Sequence, residues 1–300
     1  MTSNLKQATI NKEFLITAEV APPKGGNPDR MLEVAAQLKG RVHAVNVTDG
    51  SRAVLRMSSV AASTILLHQG IEPVCQVACR DRNCIALQAD LMGAYALGIR
   101  NILALTGDPV KAGDHQKSKA VFELESVRLL KLISKLNSGI DFNDKTMPDK
   151  SLDLFAGAAV DPQLKSWSSL QKRFEKKLES GAQFFQSQMI TDFDKLDKFM
   201  NQIALTSDKP ILAGIFLLKS AKNAKFINNY VPGVNIPDSI IQRLANAERP
   251  LEEGVKIAAE QVKIARGICH GVHMMAVKRE DLIPQILDCA GIKPVTTNYN

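Results

Sequence analysis

Aromatic residues are scarce: one Trp, three Tyr and eleven Phe make up 5% of 300 residues. A base-stacking platform for nucleic acid needs aromatics interleaved with basic residues, and none is visible. Long apolar runs are also missing. Phe155–Val160, for instance, is broken by Gly157, and a spanning helix needs ~20 apolar residues. The segment Met1 to Gln7 lacks the apolar core of a secretory signal. A cytoplasmic protein without membrane or nucleic-acid partners is therefore expected. The five cysteines, Cys75, Cys79, Cys84, Cys269 and Cys289, are too few and odd in number for a disulfide framework. They form no Cys-x-x-Cys pair, and Cys75 lies in an apolar run, so they read as packing residues rather than metal ligands. No Gly-rich phosphate loop, Ser-His-Asp array or metal-ligand cluster is present, and no metal is expected. His43, His68 and His115 read as surface or loop residues, and His270 and His273 flank an apolar segment without metal-binding spacing.

What is present is a basic balance and a regular rhythm. The formal net charge is +7, and the basic residues are scattered apart from the run Lys172–Lys177. That run reads as a solvated helix face, or more sharply as a phosphate or polyglutamate contact. Eight short apolar segments recur: Phe14–Val20, Ala44–Asp49, Pro73–Cys79, Asn101–Gly107, Leu152–Val160, Phe184–Ile190, Ile211–Phe216 and Gly271–Val277. Most starts lie about thirty residues apart, the length of one strand-plus-helix unit. Near-continuous apolar strands have both faces buried, as in a parallel sheet.

Helix signals fall between the segments. Asn27 suits an N-cap, Pro28 the first helical position and Gly40 the left-handed residue after the end. The same stop recurs at Gly70, Gly98, Gly139, Gly181 and Gly291. A helix over Ser166–Ser180 carries Trp167, Leu170, Phe174 and Leu178 on one face, and these read as core. Eight strands alternating with helices predict an α/β fold, a (β/α)8 TIM barrel. The alternative is a doubly wound open sheet, but the Gly-x-Gly-x-x-Gly fingerprint does not follow the first strand. Lys111–Ala120 and Ser138–Lys150 are polar connectors, and Pro232–Pro250 holds an extra helix between strands seven and eight. None resembles a domain linker, so residues 1–300 are read as one barrel domain.

Barrel enzymes act at the carboxyl ends of their strands. Glu19 ends the first strand, and a carboxylate among apolar residues is costly unless paired or functional. It reads as a salt-bridged rim residue or as a general acid raised in pKa by burial. Asp108 follows Gly107, and reads equally as a turn residue or as a ligand contact. Asp49 and Asp161 weigh more toward turns. Gln188, expected to point inward, offers the donor and acceptor that a heterocycle edge demands. Gly181 and Gly214 read as structural. These residues alone describe an enzyme that binds a small polar molecule with one or two acids.

Five stretches carry a family resemblance: Ala18–Lys24, Val45–Gly50, Ala78–Asn83, Asn101–Pro109 and Ala213–Phe216, with Asn228–Val234 as a sixth. In their order and spacing the chain resembles the methylenetetrahydrofolate reductase family, in its compact bacterial form, from about Phe14 to Gly291. The resemblance implies a flavin-containing barrel. Reduced flavin would pass a hydride to 5,10-methylenetetrahydrofolate, giving 5-methyltetrahydrofolate, and NAD(P)H would re-reduce the flavin. It implies that Glu19 protonates the leaving nitrogen and that Asp108 lies between flavin and pterin. Thr48, Asp49, Gln76, Gly107, Asp108, Lys176 and Lys177 match cofactor-side positions, and Gln188, Asn223 and Arg279 match folate-side positions. The implied flavin is FAD, with FMN or no tightly held flavin as alternatives. A homo-oligomer is implied, with an electron-donor protein as the alternative to NAD(P)H. A folate-binding barrel without redox activity is the further alternative, and it would need no acid at Glu19. The chain departs from the family pattern at Asp49, Gln76, Thr106, Gly157 and Asp161.

Overall fold

A computed structural model describes residues 2–148, 151–231 and 233–295. Pro232 and Lys150, which bounded two expected segments, and Met1 lie outside them. The chain opens with α1 (Asn4–Ile10), β1 (Leu15–Val20), α2 (Asp29–Leu38) and β2 (Ala44–Val47). Next come α3 (Ser59–His68), β3 (Pro73–Ala78), α4 (Cys84–Ala96), β4 (Asn101–Leu105) and α5 (Ser126–Asn137). There follow β5 (Phe155–Val160), α6 (Trp167–Glu179), β6 (Phe184–Met189), α7 (Phe193–Gln202) and β7 (Ile211–Phe216). The chain ends with α8 (Ala221–Tyr230), α9 (Asp238–Asn246), α10 (Pro250–Ile268), β8 (Gly271–Met275) and α11 (Ile283–Cys289). The eight strands close into a parallel barrel, β8 pairing with β1 through Leu15 and Gly271. This is the (β/α)8 architecture expected from the thirty-residue rhythm. The extra helix between strands seven and eight is α9.

Six strands begin where the apolar segments begin; β1 starts at Leu15 rather than Phe14, and β5 at Phe155 rather than Leu152. β1, β5 and β7 end at the expected residues, Val20, Val160 and Phe216, and the other five stop one or two residues early, where the chain leaves the ladder for a loop. All six expected stop glycines have positive φ, from 68° at Gly70 to 96° at Gly181. There a Cβ would be strained, so glycine ends these helices at low cost. The cap of α2 differs from expectation. Pro28 occupies the cap position, and Asn27 instead accepts the Asp29 N–H at 2.8 Å.

Two apolar layers and one polar layer make up the interior. The amino end of the barrel is filled by Leu15, Ala44, Val74, Leu103, Phe155, Phe184 and Leu212, with α1 inserting Leu5 and Ala8 beneath them. Phe155 and Phe184 stack with centroids 5.0 Å apart. Any Cβ at Gly157 would run into the Phe184 ring, which accounts for the missing side chain there. Larger apolar clusters lie outside the strands, under the helices. Cys75, Cys79 and Cys84 are in one of them, and burial pushes the Cys75 thiol to about 11 and the Cys79 thiol to about 12. Such thiols are poor nucleophiles. His43 corrects the expectation of a surface residue. It is 3% exposed, and its Nδ1 accepts the Ile16 N–H at 3.0 Å. Burial lowers its pKa.

Candidate active site

Side chains alternate along a strand, so Thr17 and Glu19 share the inward face of β1. The register sets Thr17 beside His273 of β8 and Glu19 beside Asn46 of β2. Above the apolar layers this produces a closed polar layer of Thr17, Asn46, Gln186 and His273, each less than 5% exposed. Buried polar groups persist only when hydrogen-bonded, and these are. Asn46 Nδ2 donates to Gln186 Oε1 at 2.6 Å, and Gln186 Nε2 donates back to Asn46 Oδ1 at 3.1 Å. Gln186 Nε2 also donates to Thr17 Oγ1 at 3.1 Å. Thr17 Oγ1 lies 2.9 Å from His273 Nδ1.

At the mouth of the barrel, Glu19 stands over this layer. His273 Nε2 is 3.9 Å from Glu19 Oε2. The Glu19 side chain retains 28% exposure, so the expectation of a buried carboxyl is corrected. It is an open carboxyl backed by a buried imidazole. His273 and Gln186 were missed from sequence. The available signal was period-two placement on the same face as Glu19's strand neighbours.

Gln188 does not occupy the inward position expected of it. The β6–β7 register shifts between Gln186 and Met189, so Met189 rather than Gln188 pairs with Gly214. Ser187 Oγ stabilises this bulge, accepting the Gly214 N–H at 2.8 Å and donating to the Gln188 carbonyl at 2.7 Å. A Cβ on Gly214 would meet that carbonyl, which confirms its structural role. Gln188 is exposed and lines a crevice against α6. The glutamine of β6 that bonds across the interior is Gln186.

That crevice, about 260 Å³, is also lined by Asp161, Phe174, Arg173 and Lys177. Lys177 Nζ donates to the Ala159 carbonyl at 2.6 Å, and burial, then the Arg173 charge, lower its pKa. Arg173 and Lys177 are four residues apart and share one helix face. Lys176, expected beside Lys177 as a ligand contact, is exposed and does not line the crevice. Arg173 was named in the basic run but not singled out, although helical spacing would have selected it.

The remaining residues singled out from sequence are mostly engaged with the protein itself. Asp49 accepts the Ala78 N–H at 2.8 Å and pairs with Arg82, so its charge is compensated. Asp108 is exposed, and one oxygen accepts the Arg52 N–H at 2.7 Å. Asp161 accepts the Gln163 N–H at 3.0 Å in a turn. Asn223 Oδ1 accepts the Lys219 N–H at 3.1 Å at the start of α8. Arg279 forms an ion pair with Asp281 at 2.9 Å. Thr48 and Gln76 are buried, Gln76 in register with the inward Leu103. At Gly107, with φ of 93°, a Cβ would crowd Arg80 and Ala78.

The loop after β4 is tied to the loops after β1 and β2. In the loop after β4, Asp114 accepts the Leu55 N–H and Lys24 Nζ, each at 2.9 Å. His115, Lys24 and that N–H, in this order, hold the Asp114 carboxyl well below the usual range. The backbone beneath it is strained. Arg52 and Ala53 have φ of 57° and 55°, and such strain persists where surrounding contacts enforce it. Among the described residues no group of three or more His, Cys, Asp or Glu is arranged to hold a metal.

Residues 4–291 match the family model described as methylenetetrahydrofolate reductase. The chain is 27% identical over 260 residues to methylenetetrahydrofolate reductase 2 of Schizosaccharomyces pombe, covering 82% of this chain and 39% of that protein. It is 24% identical over 248 residues to a probable methylenetetrahydrofolate reductase (NADPH) of Caenorhabditis elegans, covering 80% and 35%. It thus spans less than two-fifths of the length of these relatives. Among solved structures, an uncharacterized protein from Clostridium thermocellum that binds two copies of 5-methyl-5,6,7,8-tetrahydrofolic acid superposes with a TM-score of 0.64. That pair shares 15% identity over 96% of this chain and 98% of the other. DmoA from Hyphomicrobium sulfonivorans gives 0.54 at 9% identity, covering 94% and 89%. Both likenesses are of fold.

Proposed function

The chain belongs to the methylenetetrahydrofolate reductase family, and on that premise we propose that it reduces 5,10-methylenetetrahydrofolate to 5-methyltetrahydrofolate, with electrons from NAD(P)H by way of bound FAD. The observation that carries this reading is Glu19, an open carboxyl at a barrel mouth, backed by His273 at 3.9 Å. Opening the five-membered ring of the substrate to an iminium requires a proton on the departing nitrogen. A carboxyl on a rigid strand end, partly exposed, can take a proton from water and hand it to a bound substrate. His273, itself buried and bonded to Thr17, limits where the Glu19 carboxyl can turn. The Clostridium relative's methyltetrahydrofolate ligand supports a folate as substrate class.

When bound, the flavin supplies the hydride that reduces the methylene carbon. The residues present suit an anionic cofactor at one end. Arg173 and Lys177 line one crevice, neither is in an ion pair among the described residues, and phosphates would compensate both charges. Thr48, Gln76 and Gly107 are proposed on the ring side of the cofactor. One Asp108 oxygen accepts no hydrogen bond among the described residues, and Asp108 is proposed between cofactor and pterin. Asp49 is spent on Arg82 and the Ala78 N–H, and we assign it no ligand. Gln188, Asn223 and Arg279 are proposed on the folate side, Arg279 exchanging Asp281 for a folate carboxylate. The reading takes residues 1–300 as one catalytic barrel, acting in the cytoplasm as a homo-oligomer. Among the described residues no helix is long and apolar enough to cross a membrane.

The test is folate-dependent NAD(P)H consumption by the purified protein after titration with FAD. Folate binding without any reduction, with FAD, FMN or a reduced donor protein supplied, would replace this reading with that of a folate-binding barrel.

A further inference from the structure

Beneath Glu19, the polar layer has a direction, set by the way the Gln186 and Asn46 amides lie and followed from there by counting protons. The Gln186 amide nitrogen has two hydrogens. One goes to Asn46 Oδ1 and one to Thr17 Oγ1, each at 3.1 Å. The Gln186 oxygen is taken by Asn46 Nδ2 at 2.6 Å, so with Asn46 lying this way the Gln186 nitrogen points toward Thr17. Thr17 is fully buried and already accepts there. Its own hydrogen needs an acceptor, and His273 Nδ1 at 2.9 Å is the one the geometry offers. An Nδ1 that accepts leaves the hydrogen of neutral imidazole on Nε2, the atom that faces Glu19.

We infer that Gln186, oriented by Asn46, is a positioning residue that holds His273 in its Nε2–H tautomer and so presents a donor, not a lone pair, to the Glu19 carboxyl. The inference deepens the proposed reaction and rests on it for the role of Glu19. Gln186 and Asn46 touch no substrate. They act through Thr17 and His273. A donor at Nε2 turns an N–H, rather than a lone pair, toward the carboxylate oxygen left after the proton passes to the substrate nitrogen. The opposite arrangement is equally self-consistent. With both amides reversed, Thr17 would donate to Gln186, His273 would donate from Nδ1, and a lone pair would face Glu19.

The experiment is nitrogen NMR on the full chain with ¹⁵N-histidine, at a pH where imidazole is neutral. The His273 signal is assigned by its loss in His273→Gln. The wild type is expected to show Nε2–H alone. Gln186→Met and Asn46→Ala, which remove the bias at two separate points, are each expected to bring in the Nδ1–H form. Both are also expected to lower kcat for folate reduction by about tenfold, less than loss of the acid itself, with KM unchanged. Thr17→Ser is expected to retain the wild-type tautomer. Nδ1–H in the wild type overturns the inference. So does Nε2–H retained alone in whichever of the two variants folds. A wild type that shows the tautomer and its response to the variants, yet reduces no folate, instead overturns the proposed reaction and leaves the proton order standing.

Discussion

His273 Nε2 faces Glu19 Oε2 across 3.9 Å, at the seam where β8 closes onto β1. The two residues are far apart in sequence, and barrel closure alone brings them together. The imidazole is buried and the carboxyl side chain 28% exposed, so the pair joins the sealed interior to the open mouth.

Glu19→Gln keeps the shape and hydrogen-bonding capacity of this side chain but removes its acid. Folate reduction is expected to fall ~10²- to 10⁴-fold, the usual range for general acid catalysis. Oxidation of NAD(P)H by the flavin with an artificial acceptor is expected to continue. Near-wild-type folate turnover in the variant would remove Glu19 from the mechanism.

Arg173→Ala and Lys177→Met should each weaken flavin binding. A hydrogen bond to a charged group is worth ~1.5–3 kcal/mol, or about ten- to a hundredfold in Kd. Lys176→Ala is expected to bind flavin as the wild type does, because Lys176 does not line the crevice. Fluorescence titration at low and high salt checks both, and binding should weaken with salt only where the crevice cations remain. Equal losses in all three variants would mean that general surface charge, not the crevice, attracts the cofactor.

Gly157→Ala is expected to destabilise the fold by ~1–3 kcal/mol, the usual cost of overpacking. The new methyl would meet the Phe184 ring, which stacks on Phe155. Urea unfolding reads the change. Pairing it with Phe184→Leu should recover part of the loss. A Gly157→Ala protein as stable as the wild type would show that the ring can move aside.

His43 gives the fold a pH dependence of calculable sign. Burial depresses its pKa in the folded state, so the unfolded chain binds a proton first as pH falls. The stabilisation is complete above the unfolded value of ~6.5 and is lost as pH drops toward the folded value. His43→Gln should flatten the change in urea midpoint between neutral pH and pH ~5.5, while lowering stability at neutral pH where the Ile16 N–H relies on Nδ1. His270, also depressed by burial, contributes a residual slope. An unchanged slope in the variant would assign the dependence to other groups.

Much of the fold is written in local sequence. Strand positions follow from short apolar runs, because a barrel strand buried on both faces has no polar side to show. Helix ends follow from glycine, because the left-handed turn after a helix strains every residue with a Cβ. Glu19 is legible as a lone carboxylate at the end of an apolar run, although the structure leaves it partly exposed at the mouth. What sequence could not place depends on partners brought by closure. Gln188 and Gln186 are alike in composition and context, and only the Ser187–Gly214 contact between β6 and β7 decides which of them bonds across the interior. Asp49 looks available for a ligand until Arg82 arrives from the end of the next strand. His43 looks exposed until Ile16 of the neighbouring strand offers it an N–H. Local backbone preference and apolar spacing determined the elements and their order. The tertiary structure decided which polar groups are free and which are consumed, because a buried donor or acceptor must find its partner in space rather than along the chain.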